Sequence, residues 1–238
     1  RQYHIPAFVI GEGSNILVAD AGIRGLVIVN RCAAIEMPSS ELLVAESGAL
    51  LRKVARWSAE RSWEGLEWAC GVPGTIGGAV VGNAGAYGGC IADNLAWAEL
   101  LHPDGSIERV ANAAFNYSYR SSAMKRLPAQ ERPLVLKAAF ELRPGDSTEL
   151  ERRMQAYNRQ RLERTPTERS AGSVFKRTLQ FPAGFLIEQC GLKGCQIGGA
   201  QVSPLHANFI INTGGASAAD VASLITMIQH RVQEAQGQ

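Results

Sequence analysis

The chain has 238 residues, 46% of them hydrophobic and 19% charged, with a formal net charge of +2. That size accommodates one large domain or two small ones, and the composition is that of a globular protein. No apolar run approaches the ~18 residues of a membrane span, the opening Arg1-Gln2-Tyr3-His4-Ile5-Pro6 lacks the apolar core of a signal peptide, and so small a net charge argues against nucleic acid. An anionic ligand must therefore be met by local geometry. The cysteines at 32, 70, 90, 190 and 195 are odd in number and include no C-x-x-C pair. No metal is expected from them, and a reducing, cytoplasmic compartment fits best.

Ala7-Phe8-Val9-Ile10 reads as a buried strand and runs into Gly11-Glu12-Gly13-Ser14-Asn15. Ile16-Leu17-Val18 resumes strand character, and Leu26 to Val29 is a further strand. This glycine motif therefore lies between strands, whereas a Rossmann fingerprint opens a helix. The amides of Gly13, Ser14 and Asn15 form either an anion-binding nest or a tight turn with local bonds. Another strand covers Glu41 to Glu46, and Leu50, Val54 and Trp57 recur at helical spacing up to Arg61.

The chain is organised around Gly71 to Gly89, GVPGTIGGAVVGNAGAYGG, in which eight of nineteen residues are glycine and none is charged. Val72-Pro73-Gly74-Thr75 suits a type II turn. The tract either brings bare backbone to a large flat or anionic ligand or makes a small-residue packing surface.

Trp97 to Leu101 and Ile107 to Val110 flank a hairpin turn that holds a solvated His102. Phe115, Tyr117 and Tyr119 alternate, which predicts a strand with these rings on one face and Arg120 on the other. Leu134 to Leu142 is a strand. Thr148 and Glu151 have capping-box spacing for the helix that follows, which ends at Thr165-Pro166-Thr167, where the texture of the chain changes. Arg169 to Arg177 then gathers hydroxyls, glycine and cations. There Ser173 is a candidate proton donor beside an anionic substrate, and no G-x-S-x-G elbow supports a hydrolase. Ala183 to Cys190 reads as a helix capped by Gly191, Gly194 to Val202 and Ala207 to Asn212 as strands, and Ser217 with Asp220 as the cap of a final amphipathic helix. His206 enters the last strand.

Five stretches in register carry a resemblance: GEGSN at 11–15, the tract at 71–89, YSYRSSAMK at 117–125, SAGSVFK at 170–176 and GLKGCQIGGAQVSPLHANFIIN at 191–212. Together they are similar to the UDP-N-acetylenolpyruvoylglucosamine reductases, flavoenzymes of peptidoglycan precursor synthesis, in their compact subtype without an extra substrate-capping insertion. The resemblance implies an α+β protein: an FAD-binding fold of the vanillyl-alcohol-oxidase type over residues 1–145, then a smaller α+β substrate-binding domain over 146–238. It implies FAD as bound cofactor, held by Gly11, Gly13, Ser14, Asn15, Pro73, Gly74, Thr75, Gly77, Gly78, Asn83, Gly85, Ala86 and Tyr87. NADPH is the implied cosubstrate and an enolpyruvyl UDP-sugar the implied substrate, whose double bond is reduced to the lactyl ether of UDP-N-acetylmuramate. Arg120 matches the family arginine that stabilises an enolate-like charge, and Ser173 the serine that donates the proton. Tyr119, Lys176, Arg177 and His206 are implied substrate contacts, although Arg177 stands where the family usually has asparagine. The family's catalytic glutamate follows the last helix, so an N-terminal portion and a C-terminal segment are expected outside this chain. A non-catalytic flavin or nucleotide-sugar binding remnant, or a related oxidoreductase with another substrate, are the alternatives. The sequence carries no signal of oligomeric state.

Overall fold

Strands rich in small and branched apolar residues build one antiparallel sheet, in the order Ile35–Ser39, Leu42–Glu46, Leu134–Glu141, Leu95–Leu101, Ile107–Ala111. The computed structural model describes residues 5–237. They divide into two units: the described residues through Gly13 with Gly25–Arg159, and Ser14–Arg24 with residues 160–237. This partition differs from a break at 145. The first half of the Ser147–Arg164 helix buries Leu150 and Met154 with Ala59 and Cys70 of the first unit. Arg153 adds ion pairs to Glu64 at 3.2 Å and Glu67 at 2.9 Å.

In the first unit the Leu51–Ala59 helix buries Leu51, Val54, Ala55, Ser58 and Ala59, a face that shares Val54 with the expected Leu50, Val54 and Trp57 but is centred one position on, leaving Leu50 and Trp57 half-buried. Leu51, Val54 and Ala55 share a core with Leu43, Ala138, Phe140 and Phe115. The glycine tract contributes to the same core. Its middle is a helix, Ile76–Gly82, that buries Ile76, Ala79 and Val80 and ends at Asn83 in the left-handed conformation, φ 47°. Ala7–Ile10 and Leu26–Val29 pair in parallel, and all four side chains of the second strand are exposed.

The second unit has a four-stranded antiparallel sheet, ordered Ser170–Ser173, Phe209–Asn212, Ala200–Val202, Gln196–Ile197. The Ala183–Gln189 and Ala218–Gln236 helices supply Leu186, Ile187, Leu224, Ile228 and Val232 to its core. Ser217 caps the helix as expected, and the Asp220 side chain completes a capping box with it. The carboxylate of Asp20 reaches the same helix start and accepts from the amides of Ala218 at 2.7 Å and Ala219 at 3.1 Å. Each such cap is worth ~1 kcal/mol.

Three expectations are corrected, and one strand was not anticipated. Residues 16–18 form no strand. The Ile35–Ser39 strand was not anticipated, because Pro38 interrupts its short alternation of Ile35, Glu36 and Met37. Phe115 closes a short 3-10 turn, Asn112–Phe115, and residues 116–122 are loop, so the aromatics share no strand face. Phe115 is buried, whereas Tyr119 is 49% exposed. The Ser147–Arg164 helix is capped by Asp146, whose carboxylate accepts from the Glu149 amide at 2.8 Å, and not by Thr148.

Candidate functional site

The GEGSN loop and the start of the glycine tract are bound together by a residue that sequence reasoning did not single out. The Glu12 carboxylate receives both terminal nitrogens of Arg52, at 2.7 and 2.8 Å, and the amide of Gly74 at 2.7 Å. The Arg52 bond is the main force holding the Glu12 carboxyl below its ordinary pKa, with the Gly74 amide and the Arg52 charge adding to it against desolvation. The one usable signal was that Glu12 is the single charge between two glycines. Gly11 is required by close approach: a Cβ there would stand 2.7 Å from Cγ2 of Thr75. Gly74 has φ 109°, as the third position of a type II turn demands, directly after Pro73. Gly77 donates its amide to the Ser47 carbonyl at 2.9 Å.

Two stretches of backbone are left open to a dinucleotide. Among the described residues, the amides of Gly13, Ser14 and Asn15 donate to no backbone carbonyl. A Cβ added at Gly78 would meet nothing nearer than Thr75 Oγ1 at 4.0 Å, so the helix presents bare backbone there. Neutral donors of this kind suit a pyrophosphate and a flat ring better than a metal. Among the described residues no group of three His, Cys, Asp or Glu side chains could hold a metal ion.

The C-terminal end of the same helix receives the YSYR loop. Carbonyls of a last turn have no partner within the helix. Here Tyr117 donates its phenol to the Val80 carbonyl at 2.9 Å and Ser122 its hydroxyl to that of Val81 at 2.7 Å. Burial pushes the Tyr117 phenol up in pKa, which keeps it a donor. Arg120 then continues the series: its guanidinium donates to the carbonyls of Asn83, at 3.4 Å, and Gly85. Its backbone is left-handed, φ 56°, and its own carbonyl accepts from Lys125 at 3.1 Å. For a long side chain that conformation costs ~1–3 kcal/mol and is found where surrounding contacts demand it. Asn83 is fixed as well, donating to the Ser118 carbonyl at 3.1 Å and accepting from the Ala92 amide at 3.1 Å. Gly85 and Ala86 form a two-residue strand against Gly89 and Cys90. The ring of Tyr87 stacks on Tyr157 at 4.3 Å, and that of Tyr119 lies 5.5 Å from the Arg120 guanidinium carbon. The structure therefore joins Arg120 to the glycine tract within one unit, a link no spacing rule contained.

In the second unit Ser173 ends an edge strand and pairs with Phe209. Ser173, Lys176 and Arg177 are all exposed. Asn208, another residue not singled out, sets this segment. Its side chain accepts from the Phe175 amide at 2.8 Å and donates to the Phe175 carbonyl at 2.9 Å, while its carbonyl receives Val174 at 2.9 Å. His206 Nδ1 accepts from the Asn208 amide at 3.2 Å. Burial, with a smaller push from Lys193, lowers the His206 pKa, so near neutrality the ring is uncharged with its proton on Nε2.

The chain matches known proteins along nearly its whole length. Residues 1–111 match an FAD binding domain, and residues 163–238 match the C-terminal domain of UDP-N-acetylenolpyruvoylglucosamine reductase. A protein of that name from Nostoc punctiforme is 47% identical over 94% of this chain and 68% of its own length. Another from Rubrobacter xylanophilus is 41% identical over 99% of this chain and 78% of its own length. The crystal structure of the reductase from Thermus caldophilus superposes with a TM-score of 0.84 at 34% identity, covering 98% of this chain and 83% of that one. Glycine loops tied to a strained arginine, a serine strand followed by two cations, and these likenesses agree: the chain belongs to the UDP-N-acetylenolpyruvoylglucosamine reductase family.

Proposed function

We propose that Arg120 and Ser173 carry the chemistry of this reductase. The protein is an FAD-dependent oxidoreductase that uses NADPH to reduce the enolpyruvyl group of its UDP-sugar, giving UDP-N-acetylmuramate for peptidoglycan synthesis. Bound FAD supplies hydride transfer between NADPH and that double bond. Gly11, Gly13, Ser14 and Asn15, with Pro73, Gly74, Thr75, Gly77 and Gly78, are the residues that would hold it. Asn83, Gly85, Ala86 and Tyr87 complete that set.

Addition of hydride to one carbon of the enol ether leaves an electron pair on its neighbour, delocalised into the adjoining carboxylate. A fixed cation lowers the energy of that charge more than a mobile one, because no reorganisation is needed as it develops. Arg120 is fixed by two carbonyls and by its own backbone geometry, and this is the observation that supports the assignment. Ser173 Oγ–H gives the proton that completes addition across the double bond, while nearby cations stabilise its alkoxide. Lys176, Arg177 and His206, with Tyr119, hold the phosphates and carboxylate of the substrate.

No helix among the described residues is long and apolar enough to cross a membrane, and the cytoplasm, where nucleotide sugars are made, is the compartment that suits the reaction. Stopped-flow spectroscopy tests the reading. NADPH should bleach the flavin absorbance, and the enolpyruvyl UDP-sugar should restore it. A protein that binds flavin and shows neither half-reaction would be the non-catalytic remnant.

A further inference from the structure

The loop that carries Arg120 is gripped by a short cationic segment that the catalytic assignment leaves unused. Arg120 is the third residue of a four-residue turn, closed by paired amide-to-carbonyl bonds between Ser118 and Ser121, each 3.1 Å. Its φ of 56° is one that glycine or asparagine adopts at least cost in such a turn. Asn116, earlier in the same loop, is left-handed too, at φ 41°. Both carbonyls are taken by neighbouring cations of the Ala123–Arg126 helix. The Lys125 ammonium donates to that of Arg120 at 3.1 Å, and the Arg126 guanidinium to that of Asn116 at 3.2 Å. This helix is itself anchored at both ends. Ser122 Oγ accepts from the Lys125 amide at 3.0 Å while donating to the Val81 carbonyl. Arg132 donates to the carbonyls of Lys125 at 3.0 Å and Leu127 at 2.9 Å. Its Nε is buried with no hydrogen-bond partner among the described residues. An unmet buried donor costs stability, so the Arg132 guanidinium is placed by the carbonyls it holds and not by its own full satisfaction.

We propose that Lys125 is the positioning residue of Arg120, with Arg132 holding Lys125 in place. The proposal rests on the role given to Arg120 above. A left-handed arginine relaxes to the ordinary regions of backbone space unless something holds its peptide. Such a change of φ and ψ would swing the guanidinium off the Asn83 and Gly85 carbonyls that aim it. The Lys125 ammonium grips the carbonyl whose direction that change alters, through a charge-assisted bond stronger than one between neutral groups. It therefore stabilises the strained conformer and acts through the main chain of Arg120. A fixed cation stabilises developing charge only as well as its position is kept. Loss of the ammonium is thus felt in the half-reaction that builds charge on the substrate, and not in the one that reduces the flavin.

The test is a double-mutant cycle on the holoenzyme, read by stopped flow as flavin reoxidation by the enolpyruvyl UDP-sugar. Lys125→Met keeps the stem and removes the ammonium. It should slow reoxidation about tenfold and leave both reduction by NADPH and FAD affinity unchanged. In an Arg120→Ala background the same substitution should change the rate less than about twofold, because the group it positions is gone. Lys125→Arg, which keeps a cationic donor on a long stem, should recover most of the rate. Reoxidation at the wild-type rate in Lys125→Met would overturn the proposal. So would a loss that persists undiminished in the Arg120→Ala background, or an equal loss in both half-reactions. Should Lys125→Met fail to fold, Arg132→Met carries the same cycle: it releases the Lys125 and Leu127 carbonyls, and its smaller loss should likewise vanish without Arg120. A loss that survives there would overturn the proposal too. Arg120→Ala alone separates the underlying reading: reoxidation at the wild-type rate ends the Arg120 assignment whatever Lys125 does.

Discussion

The guanidinium of Arg120 donates to the main-chain carbonyl of Asn83, and both residues have left-handed backbones, at φ 56° and 47°. Two short polar loops are thereby locked against each other at the end of one helix. The fork geometry matters, because one planar group reaches two carbonyls, whereas a lysine has a single ammonium. Arg120→Lys should therefore keep the charge and lose the positioning. The expected result is a fall of about 10² in flavin reoxidation by the UDP-sugar, with a smaller change in its KM. Reoxidation at the wild-type rate would remove Arg120 from the chemistry.

Ser173→Ala deletes the proposed proton donor from an exposed strand end, where little packing is lost. Positioned proton transfer contributes about 10²–10⁴ in rate. NADPH should reduce the flavin at close to the normal rate, and substrate should reoxidise it more slowly by that factor. Equal slowing of both half-reactions would reject the role.

Gly78→Ala separates a ligand cradle from a packing surface. Gly78 lies inside the Ile76–Gly82 helix, and an added Cβ would contact no protein atom nearer than 4.0 Å. Alanine is favoured over glycine in a helix by ~0.5–1 kcal/mol. The flavin-free protein should melt about 1–4 °C higher, while FAD binds at least tenfold more weakly as followed by flavin fluorescence. A variant that gains stability and keeps its FAD affinity would make Gly78 a packing residue only.

Glu12→Gln tests the tie between the two glycine loops. The carboxylate is held low in pKa by Arg52, so its contribution to stability is fully present above the ordinary carboxylate range and is lost as pH falls through the lowered value. Wild type should melt a few degrees above the variant at pH 7, and the gap should close on acidification. FAD affinity should fall severalfold in the variant at neutral pH. A gap that stays constant down to strongly acidic pH would show that the carboxylate charge is not what joins the loops.

Much of the architecture was legible because it follows periodicity. The Leu51–Ala59 and Ala218–Gln236 helices, the Leu95–Leu101 and Ile107–Ala111 hairpin and the Ser217 capping box all follow from side-chain spacing alone. The errors fall where local pattern and tertiary demand disagree. Phe115, Tyr117 and Tyr119 alternate like a strand. Instead Phe115 is drawn into the core and Tyr117 caps a helix carbonyl, which leaves Asn116 and Arg120 left-handed. The Ile76–Gly82 helix was hidden by glycines that disfavour helix in isolation and are accepted here because Ile76, Ala79 and Val80 are buried. Of the site, the glycine loops and the serine segment stood out by composition. Glu12, Arg52 and Asn208 did not, since their importance lies in partners between 33 and 62 positions distant.

The Val80 to Gly85 segment accepts three side chains from one loop, the strained arginine among them. Cofactor-side and substrate-side sequence are thus not free to drift apart. A library varying positions 80–85 and 117–122 together should recover working pairs whose single members are each defective, and a chimera exchanging one segment without the other should fold and turn over poorly.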